Sequence, residues 1–79
     1  MEKDSQTAVR WFRRAARDQN EEAANNLAIC YEDGDGVEQN YKEALRWYRL
    51  AGKWGKDGLE EDISRLKALV ASETKNEKS

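Results

Sequence analysis

A segment of this chain recurs after 36 residues, and no other feature of the sequence restricts its possible folds as strongly. The segment AVRWFRRA at residues 8–15 returns as ALRWYRLA at residues 44–51. Trp11 therefore pairs with Trp47, and Phe12 pairs with Tyr48. Apolar residues at positions i, i+3, i+4 and i+7 form one stripe of a helix, and a period of this length is typical of stacked helical repeats. The sequence thus predicts a repeat protein.

Composition favours helices and excludes several kinds of site. The chain has 79 residues, no proline and five glycines, so it forms one domain at most and that domain is helical. It has no histidine and a single cysteine, Cys30. An internal disulfide, a histidine-based metal site and a nucleophile activated by histidine are therefore excluded. We expect no cofactor, no metal site and no catalytic residues.

Charge and hydropathy bear on partners and location. The formal net charge is only −2 although 38% of the residues are charged, which argues against nucleic-acid binding driven by bulk charge. No apolar run approaches the roughly 20 residues that a membrane span requires, and residues 1–8 lack the apolar core of a signal peptide. We expect a cytoplasmic, reducing setting and no membrane span.

The apolar spacing predicts four helices, over residues 4–17, 21–33, 41–54 and about 59–72. Asp4 and Asn40 are expected to cap the first and third of them. Gly34 and Gly36 supply the positive φ angles that end the second helix, and Val37 is expected to fold back onto it. One complete repeat then spans about residues 20–55, with a half-repeat on either side. Residues 1–3 are expected to be frayed, residues 4–72 to fold, and residues 73–79 to form a disordered tail.

Each predicted helix carries one apolar stripe, and these stripes predict the core. Cys30 is expected to act there as a small apolar residue rather than as a reactive thiol. The predicted core residues are Ala8, Trp11, Phe12 and Ala15 of the first helix, Ala23, Ala24, Leu27, Cys30 and Tyr31 of the second, Ala44, Trp47, Tyr48 and Ala51 of the third, and Leu59, Ile63, Leu66 and Val70 of the fourth.

With these residues identified, the chain resembles the Sel1-like repeat family, whose members are related to tetratricopeptide repeats and stack helix pairs into a solenoid. The resemblance covers about residues 8–67, although Ala28 and Gly52 depart from the usual pattern. It implies an all-α fold, a short solenoid of four antiparallel helices, and a non-catalytic scaffold for protein–protein interaction. The matching positions are Ala23, Leu27, Tyr31, the loop GDGV at 34–37, Ala44, Trp47, Tyr48, Ala51 and Gly55.

The resemblance also implies a binding groove, since the first helices of successive repeats line the concave side of such solenoids. Asparagine side chains there can hold an extended peptide backbone because each offers a donor and an acceptor, and Ile29 would be the apolar anchor. An ordinary solvated helix face explains the same residues equally well. The predicted groove residues are Glu22, Asn25, Asn26, Ile29 and Asp33, followed one repeat later by Glu61, Asp62, Arg65 and Leu69.

Two further surfaces each have two interpretations. Leu50 and Trp54 widen the apolar stripe of the third helix, either as a binding patch or by packing against the fourth helix and the solenoid end. The first and third helices each carry a basic face, which either contacts phosphate or anionic lipid or simply keeps an outer helix solvated; we favour the second interpretation. The basic residues are Arg10, Arg13, Arg14 and Arg17 on the first helix, and Lys42, Arg46, Arg49 and Lys53 on the third.

The loop Asp33-Gly34-Asp35-Gly36 is similar to the start of a calcium-binding loop but does not complete one. Val37 and Ala44 stand where further oxygen ligands are required, so the glycines are explained by a helix turn alone. The sequence therefore favours a module that binds a peptide or protein partner without catalysis. The alternatives are a self-associating structural or capping unit and, more weakly, a binder of anionic polymers through the basic faces, nucleic acid being unlikely.

Overall fold

The computed structural model describes the backbone of residues 4–78 and the side chains of residues 4–73. Four helices follow one another: α1 (Ser5–Arg17), α2 (Glu21–Asp33), α3 (Tyr41–Lys53) and α4 (Glu60–Lys78). No strand occurs within that part of the chain. Each helix packs against the next one in the chain, and the contact between α2 and α3 is the most extensive. The prediction of an all-α fold built from four stacked helices is confirmed.

Side-chain caps set the starts of the first three helices. Asp4, Asn20 and Asn40 each accept a hydrogen bond from the backbone N–H three residues later, at 3.2, 2.9 and 3.1 Å. Such a cap contributes about 1 kcal/mol because it satisfies an N–H that has no partner inside the helix. Asp4 and Asn40 lie 36 residues apart, so both predicted caps fall in the register of the sequence repeat.

The loop between α2 and α3 closes the second helix and contacts the first. Gly34 and Gly36 have φ angles of 71° and 81°, as their positions predict. Val37 packs against buried residues of α1 and α2, as expected. At Gly36 a Cβ atom would lie only 2.6 Å from the backbone oxygen of Ser5. The Ser5 hydroxyl also donates to the Asp35 carboxylate, so this loop fixes the start of α1.

Two clusters of buried residues form the core, with α2 contributing to both. Trp47 and Trp54 are partly buried and pack against both clusters, so they join them. The first cluster contains Ala24, Ala28, Ala44, Tyr48, Ala51, Leu59 and Leu66. The second contains Val9, Ala16, Ala23, Leu27 and Cys30. The predicted core positions of α2 and α3 are therefore confirmed.

The prediction that Trp11 lies in the core was wrong. Trp11 is 62% exposed, and Ala8 and Ala15 are only half-buried. The buried residues of this helix are Val9 and Ala16, at 4% and 5% exposure. The reason is that, among the four described helices, α1 packs against α2 alone, so it buries only the side of the stripe that faces α2.

The fourth helix is longer than its sequence pattern predicts. We expected it to end near Ser72 and residues 73–79 to be disordered, but in the structure it continues to Lys78. Neither proline nor glycine interrupts residues 71–78, and alanine, glutamate and lysine are favourable in helices. The expectations for residues 1–3 and Ser79 lie outside the described residues. Within those residues, no helix has the length and apolar character needed to cross a membrane.

Candidate partner-binding surface

Glu32 connects three helices on one side of the domain. Its side chain, on α2, is 18% exposed and accepts a hydrogen bond from the Tyr48 hydroxyl of α3 at 3.1 Å. Arg65 of α4 donates two further bonds to the same carboxylate, from Nε at 2.9 Å and from Nη2 at 3.0 Å. Arg65 also donates to Asp62 at 2.9 Å. These bonds hold α4 beside α2, although the backbones of the two helices are not in direct contact.

The protonation states of this network follow from burial and charge. Burial disfavours the phenolate of Tyr48, and the adjacent Glu32 carboxylate adds to this effect, so the pKa of Tyr48 is raised well above its ordinary value. Hydrogen bonds to Glu32 and Asp62 raise the pKa of Arg65. A neutral phenol and a charged guanidinium therefore persist through the physiological pH range.

Three of the nine predicted groove residues serve to hold the domain together. Asp62 and Arg65 belong to the network around Glu32. Leu69 is half-buried and packs against the first core cluster. A fourth residue, Glu22, pairs with Lys56 of the loop between α3 and α4 at 3.2 Å. The charged part of the predicted groove is thus largely occupied by contacts within the chain.

The remaining groove residues lie on the outward side of α2 and at the start of α4. Ile29 is 41% exposed, and Asn25 and Asn26 are half-buried. Neither amide side chain forms a hydrogen bond with any other described residue. Asp33 and Glu61 are exposed. We call Asn25, Asn26 and Ile29 the amide face; its two side chains offer donors and acceptors beside an exposed apolar group.

Leu50 and Trp54 do not form a shared exposed patch. Trp54 packs against both core clusters, which agrees with the interpretation that it closes the solenoid end. Leu50 is half-buried. Both side chains are half-buried, and the interpretation of Leu50 and Trp54 as an apolar binding patch stays a prediction.

The arginines of α1 surround two shallow concavities. One, of about 380 Å³, is lined by Arg10, Arg13, Arg14 and Arg17. The other, of about 250 Å³, is lined by Thr7, Arg10, Trp11 and Arg14. On α3 the Arg46 guanidinium instead lies 5.6 Å from the ring centre of Trp47 and pairs with Glu43. Among the described residues, no group of three acidic, histidine or cysteine side chains is arranged to hold a metal ion.

Sequence reasoning missed two features of these surfaces. Glu32 was not among the groove residues, although a signal existed: Tyr48 replaces Phe12 in the repeat, and a buried hydroxyl requires a hydrogen-bond partner. The exposure of Trp11 was also missed.

Comparison with known proteins agrees with this architecture. The family model of the Sel1 repeat matches residues 1–20 and 21–53. The chain is 35% identical over 63 residues to DAP3-binding cell death enhancer 1 of Rattus norvegicus, and 33% identical over 63 residues to the protein of that name from Mus musculus. In each case the match covers 80% of this chain but only 12% of the relative. No solved structure matches significantly. The chain belongs to the Sel1 repeat family.

Proposed function

We propose that this domain is a non-catalytic protein–protein interaction module that holds an extended segment of a partner protein on the amide face. Sel1 repeats generally mediate protein–protein interaction. The observation that carries the proposal for this chain is that Asn25 and Asn26 are half-buried without a side-chain hydrogen bond to any described residue, beside the exposed Ile29.

The chemistry of the amide face suits an extended backbone. Each asparagine can donate to a peptide carbonyl and accept from a peptide N–H, so two of them fix both the position and the direction of a strand. Ile29 would contact one apolar side chain of the partner. Asp33 and Glu61, two further residues of the predicted groove, are exposed carboxylates, and this charge favours a partner segment that carries lysine or arginine.

The network around Glu32 supports binding by keeping the surface rigid. Because Arg65 ties α4 to α2, a partner that contacts both helices does not have to order them first. Binding to a preorganised surface avoids part of the entropy cost of association. The network thus has a role in recognition without contacting the partner itself.

The names of the two relatives describe binding to DAP3. For this chain we carry over only the general feature, a protein partner, because the match spans 12% of each relative. A cytoplasmic setting, in which Cys30 stays reduced, is part of the same proposal.

A phage-displayed library of random peptides, selected on the immobilised domain, tests the proposal. Peptides that bind should lose at least about tenfold in affinity with Ile29→Asp, and a similar amount when Asn25 and Asn26 are both changed to alanine. Arg49→Gln is the matched control, since it alters an exposed residue on α3. Equal binding of the selected peptides to Ile29→Asp would exclude the amide face as the binding surface.

A self-associating unit is the second candidate, and it is supported by the opposite charges of α1 and of the first turns of α2 and α4. Sedimentation equilibrium over a wide range of protein concentration, at low and high salt, separates the candidates. A monomer throughout favours a foreign partner, whereas a salt-sensitive oligomer favours self-association through charge. Anionic-polymer binding would weaken steeply with salt and would depend on the arginines of α1.

A further inference from the structure

Because α1 and α3 correspond to each other in the sequence repeat, the contacts of α3 indicate which sides of α1 are suited to helix packing. One side of α3 faces α4: Leu45 packs against the cluster that contains Leu59, and Gly52 lies near the Leu59 side chain. Under the shift of 36 residues, Leu45 corresponds to Val9 and Gly52 to Ala16. These two are the buried residues of α1, which packs against α2. Both helices therefore use the same side to contact the helix that follows.

The other side of α3 is covered by the helix that precedes it. Ala44 and Ala51 are fully buried in the cluster that contains Ala24 and Ala28 of α2, and Trp47 packs against both clusters. In α1 the corresponding residues are Ala8, Trp11 and Ala15, which we call the Trp11 face. Trp11 is 62% exposed and the two alanines are half-buried. The Trp11 face thus has the composition of a helix-packing surface, and none of the helices described between residues 4 and 78 covers it.

The helix that covers the equivalent side of α3 indicates what chemistry fits the Trp11 face. In α2, alanines at positions 24 and 28 allow close approach, since both have no exposed surface. The same helix is acidic at both ends, with Glu21, Glu22, Glu32 and Asp33. The Trp11 face is bordered by Arg10 and Arg14, which line the concavity of about 250 Å³ beside the indole ring. An acidic helix with two alanines four residues apart therefore complements it in shape and charge.

We propose that the Trp11 face binds an acidic amphipathic helix of a partner protein, with two alanines at i and i+4 seated on Trp11 and carboxylates beside Arg10 and Arg14. This goes beyond the proposed function, because it assigns a second surface, on α1, for a helical rather than an extended partner. The domain then has two separate contact surfaces, which is what a scaffold requires.

A second copy of this chain fits the Trp11 face poorly. The helix related to α2 by the repeat is α4, which has Glu60 and Ser64 where α2 has Ala24 and Ala28. Both residues are exposed, and a glutamate at a closely packed position would be buried without space for it. Two α1 helices placed face to face would bring like charges together.

Titration calorimetry with a defined peptide tests the proposal. The probe is a synthetic helix with the α2 sequence of residues 20–33, in which Cys30 is replaced by alanine and a hydrocarbon staple joins positions 22 and 26. We expect the full chain to bind it, Trp11→Ala to weaken binding at least about tenfold, and Arg10→Gln with Arg14→Gln to weaken it and reduce its salt dependence. Arg49→Gln should leave binding unchanged. A control peptide with glutamate at positions 24 and 28 should not bind.

Three results would overturn the proposal. The first is that the full chain does not bind the peptide, or that Trp11→Ala binds it as tightly as the unmodified chain while its circular dichroism spectrum is unchanged. Another is equal binding of the control peptide, which would mean that charge alone drives association. The last is that sedimentation equilibrium shows an oligomer of the unmodified chain and a monomer of Trp11→Ala, because a second copy of the chain would then occupy the Trp11 face. Ile29→Asp should not change the affinity for this peptide, so a negative result for the Trp11 face can be distinguished from a negative result for the amide face.

Discussion

The bonds between Glu32 and Arg65 should determine how firmly α4 is attached to the domain. Changing Glu32 to glutamine keeps the size of the side chain but removes its charge. The Tyr48 hydroxyl then loses a carboxylate acceptor, and Arg65 loses two charge-assisted bonds. Arg65→Met removes the same ion pair from the other side while keeping an unbranched side chain of similar length.

The expected magnitude follows from geometry and exposure. Hydrogen bonds to charged groups contribute about 1.5–3 kcal/mol when buried, and exposed ion pairs about 0.2–1 kcal/mol. The Glu32 side chain is 18% exposed and that of Arg65 46%, so solvent screens the pair from one side. We expect Glu32→Gln to lower the free energy of unfolding by roughly 1–2 kcal/mol, and the coupling energy between Glu32 and Arg65 to be roughly 1 kcal/mol.

A double-mutant cycle measured by urea unfolding provides the test, with Glu43 and Arg46 as the matched control. That pair lies within one helix, its atoms are 3.5 Å apart and the Arg46 side chain is 64% exposed, so its coupling should be only about 0.3 kcal/mol. Hydrogen exchange should show faster opening of α4 than of α2 in Glu32→Gln. If the two cycles gave equal coupling energies, the conclusion that Glu32 fastens α4 would be refuted.

Three more changes have defined expectations. Trp47→Ala should lower the free energy of unfolding by about 3–5 kcal/mol in thermal unfolding, because it removes the side chain that joins the two core clusters. A variant of unchanged stability would show that the core is misassigned. Gly36→Ala should destabilise by more than about 1 kcal/mol, since its Cβ meets Ser5 and φ is positive; a neutral result in urea unfolding would contradict that contact. Because the pKa of Tyr48 is raised in the folded state, its contribution to stability is complete below about pH 10 and is lost as the pH rises further. The free energy of unfolding in urea should therefore fall less between about pH 8 and pH 11 for Tyr48→Phe than for the unmodified chain.

The helices were predictable because their signals are local. The caps at Asp4 and Asn40, the helix end at Gly34 and the stripes of α2 and α3 depend on residues within a few positions of one another. The range predicted for α2, residues 21–33, agrees with the structure, since polar and glycine-rich segments bound it on both sides. Only the length of α4 was underestimated, because an apolar stripe can end before a helix does.

The surfaces were less predictable because they depend on which helices are neighbours. Trp11 and Trp47 occupy the same place in the repeat, yet of the two only Trp47 lies on a helix that has described helices on both sides, and no local pattern distinguishes them. In the same way, Arg65 has the spacing of a groove residue, but its contact with Glu32 depends on the packing of α4 against α3, which places Arg65 within reach of α2. The amide face at Ile29 stays a prediction.

The two tryptophans shared by the core clusters have a consequence for cooperativity. In long repeat arrays each unit contacts only its neighbours, so the ends can unfold while the middle persists. Here Trp47 and Trp54 each pack against both clusters, so the two clusters cannot lose their packing independently. The described domain should therefore melt in a single transition, with calorimetric and van't Hoff enthalpies in agreement.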